Sequence, residues 1–169
     1  MATAPCHKRA GSIGGEQMIE DALRKHLLEH ESALGSYLAR YDGRMAVFNI
    51  DAPPDDDIKW NGTERYGRIV YAVAMEHTRE RNIKGTLTVS VIFQRHAQDL
   101  EKRPEKIEPV IRPLIDGWFF NVTNGVVSTN WKGSGYSIDE NNGTSKLTLE
   151  FEMYTYPLQD TIGPDAVAR

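Results

Sequence analysis

The residues with the most evident chemical potential are His26-Leu27-Leu28-Glu29-His30. Two imidazoles one helical turn apart, with a carboxylate between them, follow the H-x-x-E-H pattern by which a metalloprotease helix chelates zinc and holds a general base. The same residues have a plainer use. They flank the apolar stripe of a helix that a chain of 169 residues needs for its core, and no third ligand is evident on a separate element. The pair reads as incidental. Asp55, Asp56 and Asp57, with Asp51 nearby, offer oxygen ligands for a divalent cation, but without EF-hand spacing. They read as a solvated charge run, and the one variant of interest is a weak cation site that tightens a subunit contact. Cys6 has only His7 beside it and sits on no rigid scaffold, so it is a poor nucleophile. Gly11 to Gly15 precede a helix but lack both a preceding strand and a phosphate-binding lysine. The expectation is a non-enzymatic chain with no metal and no cofactor.

Composition narrows the class. Hydrophobic residues make up 40% and charged residues 26%, the balance of a globular domain. A net charge of -4 argues against nucleic acid as the main partner, because phosphate binding needs a basic stripe. A single cysteine excludes an internal disulfide framework and fits a reducing compartment. No apolar run approaches the ~18 residues of a membrane span, and residues 1–15 lack the apolar core of a signal peptide. The sequons at Asn61, Asn121 and Asn142 therefore read as turn residues, not glycan acceptors.

The elements follow from periodicity. Ile19, Leu23, Leu27, Leu34, Leu38 and Tyr41 share one helical face, predicting a first helix over 16–41 that Gly35 can divide. Asp42-Gly43 marks a turn, residues 45–50 a strand, 55–67 a long polar loop, and 68–76 a second strand. Residues 86–94 alternate most cleanly: Leu87, Val89, Val91 and Phe93 form an apolar face, and Thr86, Thr88, Ser90 and Ile92 the other. A second helix is predicted over 104–119, with Pro109 and Pro113 kinking it or shifting its start. A hairpin of 126–138 and 145–156 closes the domain. The expected fold is α+β, a mixed or antiparallel sheet of four to five strands with two helices on one face. It spans residues 16–157, between a flexible arm (1–15) and a flexible tail (158–169).

Several short stretches, taken in order, resemble the lambda-like minor tail protein U family of phage tail terminators. They are Asp42-Gly43-Arg44-Met45-Ala46-Val47-Phe48 after the first helix and before a proline, the strand 85–93 with a polar link to the helix 105–116, Ser134-Gly135-Tyr136 with the acidic turn Asp139-Glu140, and the closing strand 147–156. The likeness covers roughly residues 18–156; residues 55–84 match loosely and both terminal segments are extra. It implies a phage or prophage structural protein of a siphophage-type virion tail. Such a protein forms a homo-hexameric ring at the top of the tail tube, after time in the host cytoplasm during assembly. Its implied partners are sister subunits, the major tail tube protein and the head-tail connector or stopper; neither a membrane nor specific nucleic-acid binding is implied, although DNA passes through such a ring.

On that reading the contact surfaces are the outward face of the cleanest strand (Thr86, Thr88, Ser90, Ile92), the loop bearing Asp55, Asp56, Asp57 and Trp60, and the terminal segments. Asp42 and Arg44 would hold the turn before the first strand. Two other readings compete: a stopper or adaptor-like neck protein, and a zinc hydrolase using His26, Glu29 and His30.

Overall fold

In the computed structural model the described residues are 3–54, 59–60, 67–76, 83–94, 104–122, 125–141 and 143–157; the side chains of 3–15, 83, 94, 104, 122 and 157 lie outside that description. Helix α1 (Thr3–Glu29) is followed by a single turn, α2 (Glu31–Leu34). The break falls at His30, earlier than Gly35, with α1 ending where Leu27, Leu34 and Leu38 must all turn inward to the core. The helical backbone begins at Thr3, within the segment read from the sequence as an arm.

Two short strands, β1 (Arg40–Tyr41) and β2 (Arg44–Met45), form a two-residue hairpin. Asp42 and Gly43 both take positive φ, 52° and 75°, as a tight turn matched to strand twist requires. The cation reaching this turn is Arg40, whose Nη1 donates to the Gly43 carbonyl, and not Arg44.

The main sheet has six strands. They are β3 (Val47–Asn49), β4 (Arg68–Glu76), β5 (Ile83–Gln94), β6 (Phe119–Val122), β7 (Gly125–Asp139) and β8 (Thr144–Pro157), in the order β3-β4-β5-β8-β7-β6. Only β3 and β4 are parallel, so the sheet is mixed; the strand number exceeds the four to five expected. The missed strand is β6. Residues 116–119 read as the end of a helix, but α3 (Pro104–Ile115) stops at Ile115. Gly117, at φ 72°, turns the chain there, and Phe119 and Phe120 enter the sheet beside Ser128 and Val127. This also places Asn121 in a strand instead of a turn, while Asn61 and Asn142 lie outside the described residues.

Pro109 and Pro113 are both accommodated inside α3. Both are exposed, so the carbonyls deprived of a helical partner face water, where solvent replaces the lost bond. Ile107, Ile111 and Ile115 occupy the opposite stripe and are fully buried.

One core holds these layers together. Ile19, Leu23 and Leu27 of α1 and the three isoleucines of α3 meet the same face of the sheet, built by Leu87, Val89, Val91 and Phe93 of β5 and Leu147, Leu149, Phe151 and Met153 of β8. Both long helices therefore cover one side only. A second, smaller cluster packs Trp60 with Ala39, Ala46, Tyr41 and Phe48 beneath the β1–β2 hairpin. No helix of the described residues is long and apolar enough to cross a membrane.

Candidate assembly surface

The helix-free side of the sheet is set by strand parity. Across it run the rows Ala74-Thr86-Glu152-Asn130, Ala72-Thr88-Glu150-Gly133, Val70-Ser90-Thr148-Gly135 and Arg68-Ile92-Lys146-Ser137. Thr86, Thr88, Ser90 and Ile92 all lie on this face, half-buried by their cross-strand neighbours and covered by no described helix. The Ser90 and Thr148 hydroxyls lie 3.4 Å apart, and Lys84 Nζ is 3.7 Å from Glu152 Oε1. Small and hydroxylated residues occupy the centre, so a partner could approach the backbone closely. At one corner a concavity of about 570 Å³ brings Ile92 together with Ile138 between Arg68, Lys146 and Asp139. The far end of this face carries Phe119, 69% exposed, and Tyr156.

Trp60 is placed differently from the sequence reading. It is only 5% exposed, stacks edge-on with Tyr41 and Phe48, and bridges to Tyr41, so it fixes the hairpin and offers little contact surface. Asp55, Asp56 and Asp57 lie outside the described residues.

His26 and His30 are committed to structure through one ring nitrogen each. A carbonyl can only accept, so His26 Nε2–H donates to the Leu114 carbonyl at 2.6 Å, and His30 Nδ1–H donates to the His26 carbonyl at 2.8 Å. The His26 ring stacks on Trp118, centroids 4.1 Å apart, and Trp118 stacks in turn on Phe120. Burial, with His30 adding to it, holds His26 below the usual histidine pKa, against the pull of the Leu114 carbonyl and Glu29. Among the described residues no group of three His, Cys, Asp or Glu side chains is gathered as metal ligands would be. The H-x-x-E-H pattern thus works here as a clasp between α1 and the end of α3.

Sequence reasoning missed two polar sites. A cavity of about 590 Å³ lies between α1 and β3, walled by Glu20, Arg24, Asn49 and Tyr71. Asn49 donates to the buried Glu20 carboxylate, and burial pushes the Tyr71 phenol up to about 12. The second site is on α3: Glu108 accepts from Ser134 Oγ at 2.6 Å and from the Tyr136 hydroxyl. Those two bonds pull Glu108 below the usual carboxylate range, while partial burial and the bond to Glu108 push Tyr136 up to about 12. Beside them Arg112 lies over the Trp131 ring, 3.8 Å from its centroid. Strict alternation along β7 would have put Ser134 and Tyr136 on the other face, so the bulge at Trp131/Gly133 and the place of α3 both had to be known first.

The fold is similar to that of solved proteins. One is a chain of the "Virion of native gene transfer agent (GTA) particle", with a TM-score of 0.59 and 13% identity, covering 82% of this chain and 95% of that one. A second solved protein aligns with a TM-score of 0.60 and 12% identity, over 83% of this chain and 96% of its own. No family model and no curated protein matches the sequence. At these identities the likeness is one of fold.

Proposed function

We propose that this chain is a structural subunit of a phage or phage-like virion that acts as a tail terminator. It closes with sister subunits into a hexameric ring at the head-proximal end of the tail tube, halts tube growth and presents a face to the head connector. One observation carries the reading: the fold likeness to a chain of a gene transfer agent virion runs through 82% of this chain and 95% of that one, and the sequence resemblance to tail terminators points to the same setting. The one-sided sheet supports it, because a subunit whose helices cover one face leaves the polar face for neighbours or a lumen. Ring closure follows from head-to-tail contact between unlike surfaces, and sixfold repetition multiplies weak contacts with the tube through effective concentration. The work of such a protein is mechanical, without a catalytic step.

The test is the size and shape of the full-length protein, measured by light scattering and negative-stain imaging with and without magnesium. Rings of six times 19.1 kDa are expected, and Thr88→Arg, which changes a half-exposed residue on the open face, should abolish them with the circular dichroism spectrum unchanged. A wild-type chain that forms no ring at high concentration, in either condition and in the presence of tail tubes, would overturn the proposal.

A further inference from the structure

The far half of β7 is an open sheet edge. Strand β6 pairs only with Gly125 to Ser128. Beyond that, the Thr129 backbone is bonded to Gly117 and Trp118, and the Trp131 amide donates to the Asp116 carboxylate at 2.8 Å. From Gly133 to Asp139 the strand pairs with β8 alone among the described residues. A bulge at Trp131/Gly133 marks the start of this edge and the turn after Asp139 its end. Edges are ordinarily blunted by proline, charge or irregularity. Here the single lysine and the bulge both sit at the start, and no proline follows before the turn. Two large apolar side chains project from it, Tyr136 at 55% exposure and Ile138 at 60%.

We infer that this edge pairs antiparallel with the same edge of a second copy, about a twofold axis through Tyr136. The segment supplies the reason for choosing a copy of itself. The nine residues from Lys132 to Glu140 begin with a base and end with Asp139-Glu140, so an antiparallel arrangement sets each strand's cation opposite the other's acids. A parallel one would stack lysine on lysine. Hydrogen-bonded pairs between identical antiparallel strands join residues that both point outward. The register must therefore centre on a residue, and the midpoint of this segment is Tyr136. Tyr136 then meets its own counterpart, Ser134 meets Ile138, Gly135 meets Ser137, and Lys132 meets Glu140. The phenol held by Glu108 makes Tyr136 a pre-set aromatic anchor. The contact is isologous and cannot propagate, so it differs from the head-to-tail contact of the proposed ring and stands without it. It would join two copies, or two rings, into one continuous sheet.

The test uses the full-length chain with Cys6→Ser. Under mild oxidation Tyr136→Cys should form a covalent dimer. Ser134→Cys and Ile138→Cys should each stay uncrosslinked alone and crosslink when mixed. In sedimentation, Lys132→Glu should weaken dimerisation roughly tenfold, and Lys132→Glu with Glu140→Lys should restore it. Ile138→Pro, which removes an outward-facing N–H of the edge and no bond to β8, should give a folded monomer. A dimer that survives Ile138→Pro, crosslinking without preference for position 136, or a wild-type chain that shows no twofold species at millimolar concentration would each overturn the inference. Because the readout is the position-specific crosslink, the ring can fail while this contact holds, and the reverse.

Discussion

Replacing His26 with phenylalanine keeps an aromatic ring against Trp118 while removing one hydrogen bond and one titration. The last carbonyls of a helix have no partner within it. At the end of α3, Arg112 O accepts from Asp116 N, and Ile115 O from Trp118 N and Thr129 Oγ1, while Leu114 O accepts from His26 Nε2. Losing that donor costs about 1 kcal/mol if water reaches the carbonyl and up to about 3 kcal/mol if it does not. The pH dependence fixes the sign independently. His26 is held below its ordinary 6.5, chiefly by burial and then by His30. Above pH 6.5 both folded and unfolded chains are neutral there, and the clasp contributes fully. As pH falls below 6.5 the unfolded chain takes up a proton that the folded chain resists, so the wild type loses stability and the phenylalanine variant does not lose this part. Urea denaturation at pH 8 should therefore show the variant less stable by about 1–3 kcal/mol, with the gap narrowing at pH 5.5. A gap that is absent at pH 8, or that widens in acid, would refute the clasp.

Further tests address the scaffold. Phe151→Ala empties a fully buried site between β5, β7 and α3 and should cost about 3–5 kcal/mol by thermal or denaturant unfolding. Gly67→Ala places a Cβ 2.0 Å from the Tyr37 carbonyl at a φ of 65°, so a loss of about 2 kcal/mol or more is expected, with little soluble protein on expression. Both leave the open sheet face untouched, so whatever folded protein remains should assemble as the wild type does.

The strands were legible because each carries a two-residue period with one apolar face: 68–76 matches the observed β4, and the residues of β5 and β8 point where alternation put them. The stripes Ile19-Leu23-Leu27 and Ile107-Ile111-Ile115 are likewise buried as their helical spacing requires. Length and pairing were less accessible. Aromatic residues 118–120 extend a helical stripe as well as they begin a strand, and only the left-handed Gly117 decides between the two. Trp60, in a polar stretch, looked exposed because its partners Ala39 and Ala46 are distant in sequence and carry little hydrophobic signal. The role of the histidine pair as a clasp could not be seen without Leu114 and Trp118, some ninety residues away in the chain.

The irregularity at Trp131/Gly133 has a consequence for how this chain tolerates changes in length. Trp131 faces Phe151, yet Gly133 faces Glu150, so one extra residue is absorbed there and every later side chain of β7 changes sides. That inversion is what sends Ser134 and Tyr136 toward Glu108 and leaves Gly133 and Gly135 on the polar side. Deleting Lys132 would take out the extra residue and leave every partner in place, with Trp131 opposite Phe151, Gly133 opposite Glu150 and Tyr136 still toward the helices. Adding or removing two residues in the loop after Asp139 would leave the pattern unaltered. The strand therefore has one position at which a residue can be lost without exchanging its two faces, whereas a deletion further along β7 would exchange them.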